Sequence, residues 1–214
     1  DGVDGPLTQL AFTRFKEAHG FRGRSYPGPQ TLTKLWSGEA KRYEPAKPRT
    51  IVDLPWIDEA IRLIGTKEHT GAANNPIIMK WAADMDQWYP DDATAWCGLF
   101  VAHCMRIGAP EEPQEFNRLG AQEWRKYGKE VEPCYGAIGV FWRGSPTSWK
   151  GHVGFLVGQD SSTWHILGGN QSDSVNVTRV SKERTIGFRY PTEWPPSTKL
   201  LDSVTTGSIS NNEA

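Results

Sequence analysis

The sequence predicts an α+β fold in which helices come first along the chain and strands follow. Apolar residues recur at helical spacing up to Gly108, and short β-rich runs bounded by Gly, Asp and Ser come after it. The composition supports this prediction, because 22 glycines and 15 prolines in 214 residues indicate many turns. A chain of this length can bury one substantial core without disulfides or structural metals.

Three helices are expected in the first half of the main domain. The run WIDEAIRLIG, residues 56–65, places apolar side chains at helical spacing. The run NPIIMKWAADM repeats that spacing after Asn75 and Pro76, which suit a helix cap and a first-turn proline. Thr94 is the expected N-cap of a third helix, which ends at Gly108.

Three β-rich runs follow these helices. They are GAIGVFWRG (136–144), GHVGFLVGQD (151–160) and STWHILGG (162–169). Each is short and bounded by turn-forming residues, as is typical of antiparallel strands. We therefore expect one sheet with the helices packed on it.

The first 36 residues predict a small helical module. Two Gly/Pro turns lead to Thr8 and Thr31, each placed to cap an apolar-periodic helix. The phrases DGPLT and GPQTLTKL resemble the later part of the peptidoglycan-binding three-helix module. The resemblance implies a partial module of that kind over residues 1–36.

The remaining boundaries follow from local composition. Residues 37–55 mix charge with three prolines and lack an apolar period, so they are predicted to be a linker. Residues 56–194 are predicted to form one domain. Residues 195–214, rich in Ser, Thr and Asn, are expected to be a flexible tail.

Charge and cysteine spacing exclude several classes of protein. A net charge of -1 and a pI near 6.6 give no reason to expect a nucleic-acid partner. No run approaches the ~18 apolar residues of a membrane span, and no charged-then-apolar leader starts the chain. The three cysteines match no zinc-site spacing and the five histidines lie apart, so no metal or other cofactor is expected.

Cys97 is the expected nucleophile. With Thr94 as N-cap it lies in the first helical turn, where unpaired N–H groups and the helix dipole favour a thiolate and lower the pKa of the thiol. Cys104 lies two turns deeper among apolar neighbours and is expected to be inert core. His103, on another face, is expected to be a surface or packing residue.

A catalytic thiol needs a base, and the base needs an orienting group. His152 is the expected base because it opens a strand between two glycines. Asn170, on the returning segment, is the expected orienting residue, and His165 is its rival. The two face opposite ways in a regular strand, so only one of them is expected to hold the imidazole.

TAWCGLFVAHC, GHVGFLVG and ILGGNQSDSVNV resemble the CHAP and NlpC superfamily of papain-like peptidoglycan hydrolases, in a phage-endolysin-like branch, over about residues 56–191. The resemblance implies a papain-like domain and a cysteine peptidase or amidase. Position by position, Cys97 matches the nucleophile, His152 the base and Asn170 the polar residue of the GGNQ phrase. In NlpC members the third catalytic residue is often a histidine, so His165 remains an alternative to Asn170 as the orienting residue.

Four further residues are candidates for substrate binding. Trp96 and Trp149 stand near these motifs and could border a groove. Glu68 resembles a glutamate of the family's early segment, with a capping or surface role as the alternative, and Gln171 shares the phrase of Asn170. The adjacent carboxylates 91 and 92 could bind calcium, as in some CHAP members, but no metal ligand is assigned.

The sequence thus predicts an endolysin-like peptidoglycan hydrolase that cleaves an amide or peptide bond through a Cys-His-Asn thiol mechanism. Bacterial peptidoglycan is the expected partner. The protein is expected to be a monomer. It would act on the cell wall, at the periplasm or cell surface, after synthesis in the host cytoplasm without an evident signal peptide. Two alternatives remain: a non-catalytic wall-binding or structural protein, and a secreted antibacterial effector with the same chemistry. The bond cleaved stays open between amidase and endopeptidase.

Overall fold

A computed structural model describes residues 12, 15–16, 19, 29–37, 54–69, 73–199, 201 and 209–210. The chain divides into two compact units, residues 1–49 and residues 50–214. The first unit contains helix α1, Pro29–Trp36, in the stretch where the sequence predicts a helix. Apart from residues 12, 15–16 and 19, the rest of the predicted helical module and most of the predicted linker lie outside the described residues.

Three helices open the second unit: α2 (Pro55–Arg62), α3 (Pro76–Asp84) and α4 (Cys97–Gly108). Asn75 caps α3, because its side-chain oxygen accepts a hydrogen bond from the Ile77 N–H at 2.8 Å, and Pro76 occupies the first turn. The predicted cap and first-turn proline of α3 are therefore confirmed. No helix in the described part of the chain is long and apolar enough to cross a membrane.

The strands follow the helices, which confirms the α+β class. They are β1 (Lys129–Glu130), β2 (Ile138–Trp142), β3 (Gly151–Gln159), β4 (Thr163–Gly168), β5 (Asn176–Ser181), β6 (Thr185–Tyr190) and β7 (Ile209–Ser210). They form one sheet in the order β1-β6-β2-β3-β4-β5-β7. The first six strands pair antiparallel, and β7 joins β5 in parallel. Short 3-10 helices lie at Ala121–Lys126 and Lys182–Arg184.

Helix α4 is the centre of the core. Ten of its twelve residues are buried, and it packs against α2 and β3. The rings of Phe100 and Phe155 meet edge to face with centroids 6.1 Å apart. Cys104 is fully buried, as expected, and burial raises the pKa of its thiol.

His103 belongs to the core, so packing is the correct one of its two expected roles. Its Nε2 lies 2.8 Å from Glu59 Oε1, and its ring stacks on Trp81 with centroids 5.2 Å apart. Burial lowers the pKa of His103 even though the neighbouring carboxylate opposes that shift. His103 therefore ties α4 to α2 and α3.

The predicted domain boundaries are too narrow at both ends. Leu54 is buried and Pro55 begins α2, so the predicted linker overlaps the domain at its last two residues. Ser197, assigned to the flexible tail, is buried, and the Lys199 ammonium lies 3.8 Å from the centroid of the Tyr135 ring. The β7 residues also pair with the sheet, whereas most of the chain beyond residue 199 lies outside the described residues.

The turn between β3 and β4 is organised by one carboxylate. Asp160 Oδ1 accepts hydrogen bonds from the backbone N–H groups of Ser162 and Thr163, at 2.9 and 2.8 Å. Its Oδ2 accepts from the Thr163 hydroxyl at 2.5 Å and from Arg179 Nη2 at 2.6 Å. These donors, the Thr163 hydroxyl first, hold the pKa of Asp160 well below its usual range.

We predict that Asp160→Asn flattens the acid limb of the stability curve. Because the folded-state pKa of Asp160 is depressed, its contribution is present above the unfolded pKa of about 4 and is lost as pH falls towards the folded value. Urea unfolding at several pH values should show a smaller loss of unfolding free energy below about pH 4 in the variant than in the wild type. Asp58→Asn, at an exposed carboxylate of α2, is the control, and parallel curves for wild type and Asp160→Asn would contradict the prediction.

Candidate active site

Cys97 is the first residue of α4, and Trp96 is the N-cap. The predicted cap at Thr94 is wrong: Thr94 lies in the preceding turn, where its hydroxyl donates to Asp91 Oδ1 at 2.9 Å. The correction brings Cys97 closer to the helix end, where the first N–H groups have no helical partner. Both the open N–H groups and the helix dipole favour a thiolate at this position. The three cysteines, all of them in the described part of the chain, form no disulfide.

Trp96, the residue before α4, is anchored in the core. Its ring is fully buried, and its indole N–H donates to Glu68 Oε1 at 2.7 Å. Burial raises the pKa of Glu68, and the nearby carboxylates of Asp173, Asp92 and Asp91 act in the same direction, while the bond from Trp96 opposes them. The prediction that Trp96 borders a substrate groove is therefore wrong in this structure, and Glu68 acts as the partner that holds it.

The predicted cation-binding carboxylates are used by the loop that leads into α4. Asp92 is buried, and its Oδ2 accepts hydrogen bonds from the N–H groups of His69 at 3.0 Å and Asn75 at 2.7 Å. Asp91 is bonded to Thr94. Within the described residues no group of three or more His, Cys, Asp or Glu side chains is arranged to hold a metal ion. These carboxylates therefore fix the loop.

His152 is the second residue of β3 and lies opposite Phe141 of β2. Its side chain is almost fully buried at 2% exposure. Its Nε2 lies 2.9 Å from Oε1 of Gln171. A histidine in this position has one ring nitrogen committed to a partner within the protein.

The carboxamide of Gln171 determines which nitrogen carries the proton. Gln171 is 1% exposed, and its NH2 group donates to three backbone carbonyls, those of Ile166 at 3.2 Å, Gly168 at 3.3 Å and Asn176 at 2.6 Å. Those bonds point Oε1 at the imidazole, and an amide oxygen can only accept. His152 Nε2 must therefore be the donor, which leaves Nδ1 as the basic nitrogen of the neutral ring.

The orienting residue in this structure is thus neither Asn170 nor His165. Asn170 precedes Gln171 in a left-handed conformation, with φ of 56°, and its carboxamide makes no hydrogen bond with any described residue. His165 lies opposite Gly158, and its Nε2 is 3.3 Å from Asp160 Oδ2 in the β3–β4 turn. The sequence predicts Gln171 only as a substrate-binding residue, and the GGNQ phrase is the signal that points to it.

Two glycines place the histidine pair against the start of α4. A Cβ atom at Gly168 would lie 3.0 Å from Gln171 Oε1 and 3.1 Å from His152 Nε2. A Cβ atom at Gly169 would lie 2.6 Å from both Trp96 Cζ3 and Phe100 Cβ, which is closer than atoms can approach. The segment Gly168–Gly169 therefore lies against His152 on one side and, on the other, against Trp96 and Phe100, which come before and after Cys97 in the chain. The segment therefore connects the surroundings of the predicted base with the helix that carries the predicted nucleophile.

Trp149 is the exposed aromatic residue of the site. Its side chain is 84% exposed, three residues before His152. Its loop is braced by Gln122, whose side-chain NH2 donates to the carbonyls of Ser148 at 2.7 Å and Lys150 at 2.8 Å. The ring is therefore held out from a fixed backbone, which is compatible with its predicted role in substrate binding.

A scan of protein-family models finds none that matches the chain. Comparisons with curated proteins and with solved structures give no significant match either.

We predict that Gln171 sets the tautomer of His152. In a Cys97→Ala background at a pH where the ring is neutral, long-range proton–nitrogen spectra should show His152 protonated at Nε2. Gln171→Leu removes the acceptor, so the two tautomers should then mix. Asn170→Gly is the control and should leave the His152 signals unchanged. A wild-type ring protonated at Nδ1 would contradict the assignment.

Proposed function

We propose that this chain is a papain-like cysteine hydrolase of the CHAP/NlpC type that cleaves an amide or peptide bond of bacterial peptidoglycan. The observation that carries the proposal is the pairing of His152 Nε2 with the fixed oxygen of Gln171, beside a helix that begins at Cys97. A thiol at a helix start, a histidine with a basic ring nitrogen and an orienting amide are the parts that nucleophilic cysteine catalysis requires.

The proposed mechanism is acyl transfer. His152 Nδ1 takes the proton of Cys97, and the thiolate attacks the carbonyl carbon of the substrate. The resulting oxyanion accepts hydrogen bonds from N–H groups at the start of α4. His152 then gives the proton to the leaving amine, and a water molecule, deprotonated by the same nitrogen, hydrolyses the thioester.

The choice of peptidoglycan rests on three supports. The first is the resemblance of the motifs around Cys97, His152 and Gln171 to wall hydrolases. The second is the resemblance of residues 1–36 to part of a peptidoglycan-binding module. The third is Trp149, an exposed ring three residues before His152 on a loop whose backbone is hydrogen-bonded by Gln122, which can stack on a sugar or an apolar group. The enzyme would act at the cell wall, as a monomer and without a cofactor.

Cys97→Ala and His152→Ala should each abolish hydrolysis. Because both residues act in the same acyl-transfer step, each change should lower kcat/KM by on the order of 10⁴-fold or more. The measurement is release of amines from purified peptidoglycan, with mass spectrometry of the fragments to identify the bond cleaved.

Cys134→Ala and exposed His69→Ala are the matched controls and should keep full activity. Cys104→Ala should also keep activity, while lowering the unfolding free energy by about 1 kcal/mol, because it removes a buried sulfur. A fully active Cys97→Ala enzyme would overturn the proposed function. Binding to peptidoglycan without any hydrolysis by the wild type would favour the wall-binding alternative.

Trp149→Ala should weaken substrate binding without unfolding the protein. Loss of an exposed stacking ring should raise KM by about tenfold, with little change in kcat. The melting temperature should stay at the wild-type value because the ring is 84% exposed. Trp149→Phe should restore part of the affinity, and an unchanged KM in Trp149→Ala would exclude the residue from the substrate site.

A further inference from the structure

Asn170 occupies a position that its backbone does not favour. It is one of four non-glycine residues with a positive φ in the described part of the chain, and its φ is 56°. Asparagine tolerates this conformation better than most residues, but glycine adopts it without strain. A residue held in a sparsely populated conformation is a reason to look for a role of its side chain.

The side chain of Asn170 is buried and yet has no protein partner. The residue is 5% exposed, and its carboxamide makes no hydrogen bond with any described residue. Its oxygen and nitrogen are not among the fully enclosed side-chain atoms that lack a hydrogen-bond partner, so they remain accessible from outside the protein. The carboxamide is therefore available to a group that the protein does not supply.

The neighbours of Asn170 place its backbone between the predicted base and the helix that carries the predicted nucleophile. Gly169 on one side lies against Trp96 and Phe100, which flank Cys97 at the helix start. Gln171 on the other side holds the imidazole of His152. Asn170 is thus the residue of this segment that lies between the contacts to the nucleophile's helix and the contact to the base.

Two other polar side chains near this position are already engaged within the protein. The NH2 group of Gln171 is fully engaged with backbone carbonyls. The carboxyl group of Glu68 is engaged at Oε1, which accepts from the indole N–H of Trp96 at 2.7 Å. The carboxamide of Asn170, by contrast, makes no hydrogen bond with any described residue, so its donor remains open.

We propose that Nδ2 of Asn170 donates a hydrogen bond to the carbonyl oxygen of the scissile bond and binds it as it becomes an oxyanion. Asn170 is on this proposal a catalytic residue that touches the substrate, and it acts alongside the N–H groups of α4. Gln171 alone then orients His152. The inference rests on the proposed function, because it assigns a further residue to the same acyl-transfer reaction.

The decisive variant is Asn170→Gly. Glycine keeps the left-handed backbone and removes only the carboxamide. We expect kcat on soluble disaccharide-peptide fragments of peptidoglycan to fall by about 10²–10³-fold, with a small change in KM, as for loss of one oxyanion donor. Asn170→Asp keeps the shape but replaces the donor with a negative charge, so its kcat should fall at least as far. Near-wild-type kcat in either variant would overturn the proposal.

A second readout separates oxyanion binding from orientation of the histidine. The rate of Cys97 alkylation by iodoacetamide, followed against pH, reports the thiol and its base and needs no oxyanion. It should be unchanged in Asn170→Gly and altered in Gln171→Leu. An altered profile in Asn170→Gly would show that Asn170 acts through His152, which overturns the proposal.

The outcome also separates this inference from the proposed function. If Cys97→Ala abolishes hydrolysis and Asn170→Gly does not slow it, the chain is a cysteine hydrolase and only the role of Asn170 is wrong. If Cys97→Ala leaves hydrolysis intact, the proposed function fails, and the role of Asn170 fails with it.

Discussion

The carboxamide of Gln171 is the constraint on which the candidate site depends. Its two ends are both used inside the protein, the NH2 group by backbone carbonyls of β4 and β5 and the oxygen by His152. The same turn is closed by the side chain of Asn176, which donates to the Gln171 carbonyl at 2.6 Å. Because every polar atom of the carboxamide is bonded, neither the turn nor the imidazole can reorient independently.

Gly168 and Gly169 connect the Gln171–His152 pair to α4. Any side chain at Gly169 would push the β4–β5 turn away from Trp96 and Phe100, and any side chain at Gly168 would enter the space of the Gln171–His152 pair. The sheet and α4 can therefore approach closely enough to share one site only because both positions lack a Cβ atom. Trp96, held by Glu68, fixes the other surface of this contact. Fold stability and site geometry thus depend on the same close packing.

Much of this arrangement could be predicted from local sequence signals. The α+β order, a helix with Cys97 in its first turn and a strand opening at His152 all follow from short-range patterns. The contact of Gln171 with His152 could not be predicted in this way. It depends on three residues with a left-handed backbone, Asn170, Ser172 and Asp173, which set the direction of each side chain in the turn. Burial of Trp96 also depends on a distant partner, Glu68, and no period along the sequence reports that contact. Local periodicity predicts elements, whereas turn geometry decides which neighbouring residue reaches the site.

The fixed tautomer restricts how the proposed reaction can proceed. With Nε2 of His152 committed to Gln171, proton removal from the thiol and proton delivery to the leaving amine must both use Nδ1. The leaving amine must then lie on the same edge of the imidazole as the sulfur, within hydrogen-bond reach of one nitrogen. On the proposed role of Asn170, the carbonyl oxygen of the scissile bond, which points away from that amine, would be directed to the helix start and to the carboxamide of Asn170. A single buried hydrogen bond thereby determines on which side of the thiol the substrate's amine and oxygen must lie.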